Sequence, residues 1–174
     1  MKTKLLSLVA IFMIAVFSNN LNAQTTANVD NNATAEIIQI IGITAGADLA
    51  FGEIIVGAGD VIISTAGART INAAMDPGTQ STYTAGVFNV TGQPLYTYAI
   101  TLPDDVTVTI TEGTDPMAVT AFNCFTADDA DAGLDGTLDA LGDDVITVGA
   151  TLTVAVDQVV GSYTGLFNVV VAYN

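Results

Sequence analysis

The chain has 174 residues, 51% of them hydrophobic, three basic residues against eighteen acidic ones for a formal net charge of −15, and no histidine. That charge balance argues against nucleic acid and anionic membrane as partners, because phosphate binding depends on clustered Lys and Arg. The absence of histidine removes the commonest general base and the commonest metal ligand, while the apolar content can bury a core.

Lys2 and Lys4 precede an apolar run from Leu5 to Phe17, followed by Ser18-Asn19-Asn20 and the small residue Ala23. This is the order of a secretory signal peptide over residues 1–23. A run of thirteen residues spans only about 20 Å as a helix, against roughly 30 Å of hydrocarbon, so no membrane insertion is expected once the signal is cleaved. Cleavage would leave Arg69 alone against the eighteen acids, a formal charge of 1 minus 18, or −17. The remaining 151 residues suit one domain. Cys124, the only cysteine, has no partner for an intramolecular disulfide, and its AFNCFTA context predicts a small buried apolar residue.

Residues 24–35, QTTANVDNNATA, read as an N-terminal extension or a weak first strand. Glu36 to Ile43, EIIQIIGI, predicts a buried strand that opens the domain proper, residues 36–174. Leu49 to Val56, Val61 to Thr65 and a short edge strand from Ala68 to Ala73 around Arg69 follow, with Met75-Asp76-Pro77-Gly78 as a turn. Thr82 to Val90 and Leu95 to Leu102 form the next pair, the second with Tyr96, Tyr98, Ile100 and Leu102 inward. Val106, Val108 and Ile110 alternate with threonines as a half-buried strand, and Met117 to Thr126 makes another. Val145 to Val156 alternates again, with Gly149 expected at a bulge. The last strand, Val159 to Asn174, places Tyr163, Gly165, Phe167, Val169, Val171 and Tyr173 on one parity; from Val169 to Ala172 both parities are apolar, so the outward one still calls for cover. About nine short strands and no amphipathic helix predict an all-β fold, an antiparallel β-sandwich with Greek-key connections.

Little in the chain carries chemistry, and no catalytic residues are assigned. After signal cleavage there is no lysine, which removes Schiff-base and Ser-Lys mechanisms. The pairs Asp104-Asp105, Asp128-Asp129 and Asp143-Asp144 lie at predicted turns, where aspartate is favoured for backbone hydrogen bonding. The stretch from Asp128 to Asp144 holds seven aspartates and no base, so Asp128, Asp129, Asp131 and Asp135 are the candidate oxygen ligands for calcium. Their spacing does not fit a helix-loop-helix calcium site: with Asp129 and Asp131 as first and third ligands, Gly133 takes the fifth ligand position and Leu134 the required glycine. The candidate assembly strand is Gly161, Tyr163, Phe167, Val169, Val171 and Tyr173. A glycan platform, the alternative, would draw on Tyr83, Tyr96, Tyr98 and Tyr163.

The segments ITAGADLAFGEIIVGAG (Ile43 to Gly59), GARTINA (Gly67 to Ala73), FNVTGQPLYTYAITLP (Phe88 to Pro103) and the ending from Val148 resemble the secreted bacterial domain-of-unknown-function family 4402. The C-terminal strand also resembles that of chaperone–usher pilins, with Gly161 fourteenth from the end and Tyr173 penultimate; spore-coat and fimbrial β-sandwich subunits share this look. These resemblances imply an immunoglobulin-like, pilin-like sandwich in the periplasm, at the cell surface or outside a Gram-negative cell. They also imply a structural or adhesive subunit, such as a fimbrial one assembled by strand exchange. Its partners would be further copies, another surface subunit or a periplasmic chaperone, without catalysis and with no cofactor other than the calcium option. The alternative is a monomeric secreted module that binds glycan or protein.

Overall fold

The computed structural model describes residues 26–55, 57–72, 75–110, 115–128 and 133–174. The expected signal, residues 1–23, lies outside them. Two units divide the chain, residues 1–36 and 37–174. In the first, residues 26–36 are exposed and form no strand.

The second unit is all-β and antiparallel, with no helix among its described residues. Its strands are β1 (Gly42–Ala45), β2 (Ile54–Ile55), β3 (Gly59–Ile63), β4 (Arg69–Ile71), β5 (Asp76–Pro77), β6 (Gly86–Thr91), β7 (Thr97–Thr101), β8 (Val106–Ile110), β9 (Pro116–Thr126), β10 (Asp135–Thr137), β11 (Asp143–Val154), β12 (Tyr163–Thr164) and β13 (Val170–Tyr173). Eight of them form one sheet in the order β1-β6-β11-β9-β8-β12, with β3 joining β11 and β4 joining β3. A second sheet runs β10-β7-β13, and β2 and β5 pair by themselves.

The organising strand is β11. Its sequence alternates so that Asp144, Ile146, Val148, Ala150, Leu152 and Val154 are all buried. One edge pairs with β9; the other takes β6 over Asp143–Val148 and then β3 over Ala150–Val154. Gly149 stands at the hand-over, where an added Cβ would collide with the Ile63 carbonyl. The bulge expected there is present: the register with β9 shifts between Gly149 and Thr151. The extra residue lies on β9, where Ala121 takes a φ of 52°, consistent with the local bend a bulge introduces.

Two apolar clusters follow from this division. Val90, Ile146, Val148 and Cys124 of the large sheet pack with Tyr98 and Ile100 of the small one, joined by Leu138 and Val169. Val61, Met75, Met117, Val119, Ala150, Leu152 and Val154 form the other, and Phe122 packs against both. The inward set on β7 is as expected, with Tyr98 and Ile100 buried and Thr97 and Thr101 exposed. On β8 the strand is present; Val106 is half-buried, while the side chains of Val108 and Ile110 lie outside the described ones.

Three expectations need correction. Glu36 to Ile43 is not a buried strand: pairing starts at Gly42, and Ile37 and Ile40 are 98% and 83% exposed. Only Ile41 and Ile43 reach the core, beside and within β1, whose partner is β6, while residues 37–40 have no strand partner. Met75–Gly78 is more than a turn, as Asp76 and Pro77 pair with Ile55 and Ile54. The last segment is not one strand. Residues 163–164 pair with β8 of the large sheet, residues 170–173 with β7 of the small one, and the stretch between them changes sheet.

Candidate functional site

The C-terminal segment keeps a two-residue period although its pairing is divided. Tyr163, Phe167, Val169, Val171 and Tyr173 are buried or half-buried, Gly165 of the same parity is exposed, and Thr164, Leu166, Asn168, Val170 and Ala172 are exposed. Gly161 is exposed and outside any strand. The alternation survives because each inward side chain has its own socket. Phe167 sits between Phe88 and Phe122, with ring centroids 5.7 and 5.3 Å away. Val169 is 6% exposed in the cluster between the sheets.

Polar groups fix the two ends of the segment. At the start, Asp115 Oδ2 accepts from Gln158 Nε2 at 2.6 Å and from the Val159 N–H at 3.1 Å. The Tyr163 hydroxyl donates to the Val159 carbonyl at 2.7 Å and accepts from Gln158 Nε2 at 3.0 Å. At the end, the Tyr173 hydroxyl accepts from the Gln93 N–H at 2.6 Å and donates to the Gln39 carbonyl at 2.9 Å. The Gln39 N–H in turn donates to Gln93 Oε1 at 3.1 Å. Two side chains thus satisfy both backbone groups of Gln39, the task a neighbouring strand usually performs. Gly92 is required beside this ring of bonds, because a Cβ there would strike the Tyr173 hydroxyl.

The acidic stretch is only partly in view. Asp128 and Asp135 are exposed, the latter in β10 opposite Ala99; Asp129 and Asp131 lie outside the described residues. Among the described residues, no group of three or more His, Cys, Asp or Glu side chains is placed to hold a metal ion. Two aspartates of the stretch have structural work instead. Asp139 Oδ1 accepts from the N–H groups of Asp143 at 2.9 Å and Leu141 at 2.7 Å, which hold its carboxyl below the usual range.

Asp144, expected at a turn beside Asp143, lies instead in β11. It is 5% exposed. Its Oδ2 accepts from the Tyr98 hydroxyl at 2.7 Å, and its Oδ1 from the N–H of Asp128 at 3.1 Å and of Val145 at 2.7 Å. The signal was available, because Asp144 shares the parity of Ile146 and Val148 and so belongs to the inward face. Gly136 lies against the Tyr98 ring, leaving no room for a side chain. Tyr98, wholly buried, cannot serve on a glycan platform.

The remaining singular groups are also built into the scaffold. Arg69 Nη1 donates to the carbonyls of Phe51 and Glu53, both at 3.1 Å, and its guanidinium lies 4.5 Å from the Tyr83 ring centroid. Cys124 is 4% exposed and its Sγ donates to the Gly133 carbonyl at 2.9 Å; burial pushes the thiol pKa up, as expected for an unreactive core cysteine. A cleft of about 320 Å³ opens between Leu102, Phe122, Cys124 and Leu134, with no charged side chain on its described wall. Among the described buried oxygens, Thr126 Oγ1 has no hydrogen-bond partner.

A family model described as a domain of unknown function, DUF4402, matches residues 41–173. No curated protein and no solved structure matches the chain.

Proposed function

The chain belongs to the DUF4402 family, and since that match runs over every described strand, we propose that the β-domain is itself the functional unit: a secreted, non-enzymatic structural or adhesive subunit of the cell surface. The finer architecture we propose is an immunoglobulin-like sandwich with Greek-key connections. Its partners are further copies of the chain or another surface subunit, met after export with a periplasmic chaperone. The observation that carries this reading is how the polar side chains are used. Arg69, Asp115, Asp139, Asp144 and Tyr173 each hold backbone or another scaffold side chain in place, which suits a part that must keep its shape.

Expression of the full chain in a Gram-negative host tests the reading. Mass spectrometry should find a mature N-terminus at Gln24, and antibody should label the protein on intact cells. A chain that keeps residues 1–23 and stays in the cytoplasm would refute it. A glycan-array hit by a strictly monomeric protein would replace it with the binding-module alternative.

A further inference from the structure

The chain holds two Asn-x-Thr triplets, Asn32-Ala33-Thr34 and Asn89-Val90-Thr91. We propose that Asn32 is the acceptor of an N-linked glycan delivered from a polyprenyl diphosphate carrier, and that Asn89 is not an acceptor.

The structure separates the two triplets. Such a triplet is modified where its backbone can bend into a transferase groove, with the threonine hydroxyl held and the asparagine carboxamide drawn out, which is the property of a surface loop in a secreted protein. Residues 26–36 are all exposed and none belongs to a strand, so no ladder has to open around Asn32. The middle residue, Ala33, is not the proline that would block the bend. The Asn89 side chain is also exposed, but its backbone lies in β6, paired with Thr44 of β1 on one side and Val145 of β11 on the other. Drawing it out would break two ladders and pull the wholly buried Val90 from the core.

Local charge points the same way. Asp30 stands two residues before Asn32, where Asn89 has Val87, and gives an enzyme with a basic peptide groove a carboxylate to hold. Asn32 also precedes β1 and the family-matched residues 41–173, so a glycan on it displaces no strand residue. Exposed segments of small polar residues are the usual sites of proteolytic nicking, and a bulky hydrophilic glycan on residues 26–36 would shield them.

The transfer balances without redox chemistry. The Asn32 amide nitrogen attacks the anomeric carbon of the first sugar, a C–N bond forms as the C–O bond to the diphosphate breaks, the polyprenyl diphosphate leaves, and the nitrogen loses one proton to a base of the transferase. The site rests on the export proposed above, since a chain kept in the cytoplasm would not meet the transferase on the far side of the membrane.

The test incubates the purified full chain with a bacterial oligosaccharyltransferase and a polyprenyl-diphosphate-linked oligosaccharide, then cleaves after glutamate. Glu36, Glu53 and Glu112 are the only glutamates, so Asn32 falls on the peptide that ends at Glu36 and Asn89 on residues 54–112. Mass spectrometry should find the glycan on the first peptide and none on the second. Asn32→Gln and Thr34→Ala should each lower occupancy by about tenfold or more, while Asn89→Gln leaves it unchanged. Asn32 and Thr34 are exposed and outside any strand, so both variants should melt at the parent temperature. A bare peptide ending at Glu36, or equal occupancy on residues 54–112, would overturn the inference. Export is judged separately, by the N-terminus of the chain recovered from cells, because the purified reaction does not depend on it.

Discussion

Replacing Tyr98 by Phe removes one hydroxyl and leaves the ring volume of the core unchanged. That hydroxyl is 2.7 Å from Asp144 Oδ2; Tyr98 is 0% and Asp144 5% exposed, so water cannot take its place without opening the sheets. A hydrogen bond to a charged group contributes about 1.5–3 kcal/mol, and the abandoned carboxylate oxygen keeps its desolvation cost. We expect Tyr98→Phe to lose about 2 kcal/mol, which lowers the melting temperature by about 6–10 °C in a domain of this size. Asp144→Asn keeps an oxygen for the N–H groups of Asp128 and Val145 but turns Oδ2 into an amide, and should cost a similar amount. Because the amide that replaces Oδ2 can still donate to the Tyr98 hydroxyl, Asp144→Asn exchanges a charge-assisted bond for a neutral one, and the double variant should fall short of their sum by about 1 kcal/mol. Urea unfolding of the four proteins measures this coupling. A coupling under about 0.5 kcal/mol would refute the buried pair and return Asp144 to solvent.

Other expectations follow from single groups. Thr126→Val keeps the shape of a wholly buried side chain while removing its unpaired hydroxyl, and should raise stability by about 1 kcal/mol in urea; a loss would mean that the hydroxyl is satisfied. Val169→Asp places an unpaired charge in the cluster between the sheets, at a cost of several kcal/mol against a total of about 5–15 kcal/mol, and should abolish cooperative melting. The Asp139 carboxyl has a folded pKa below its ordinary value of about 3.8, so its contribution is present above that pH and vanishes as pH falls through the folded value. Asp139→Asn should therefore be less stable than the parent at pH 7, with the deficit closing below about pH 4; a deficit independent of pH would show that the charge contributes nothing. Cys124 should react with a thiol reagent at least tenfold more slowly in the native protein than in urea, and equal rates would contradict its burial.

Alternation was the legible part of this chain. The period of two along β7, β11 and the C-terminal segment puts Tyr98, Val148, Phe167, Val169 and Tyr173 inward, because side-chain direction in extended chain is a local property of the backbone. The same rule puts Asp144 inside, where the parity of β11 overrides the preference of aspartate for turns. The DUF4402 resemblance was also readable, since it resides in the order of residues.

Partnership was not legible. Local composition misleads in both directions: EIIQII has strand composition and no strand, whereas Asp76-Pro77 has turn composition and pairs with β2. Pairing is a contest among all edges of the fold, decided by which backbone groups find partners once the core has closed. For the same reason the last sixteen residues look like one strand and serve two sheets. The sockets for Tyr163, Phe167 and Val169 lie on different strands, and only their arrangement in space decides where the chain must leave one ladder for the other.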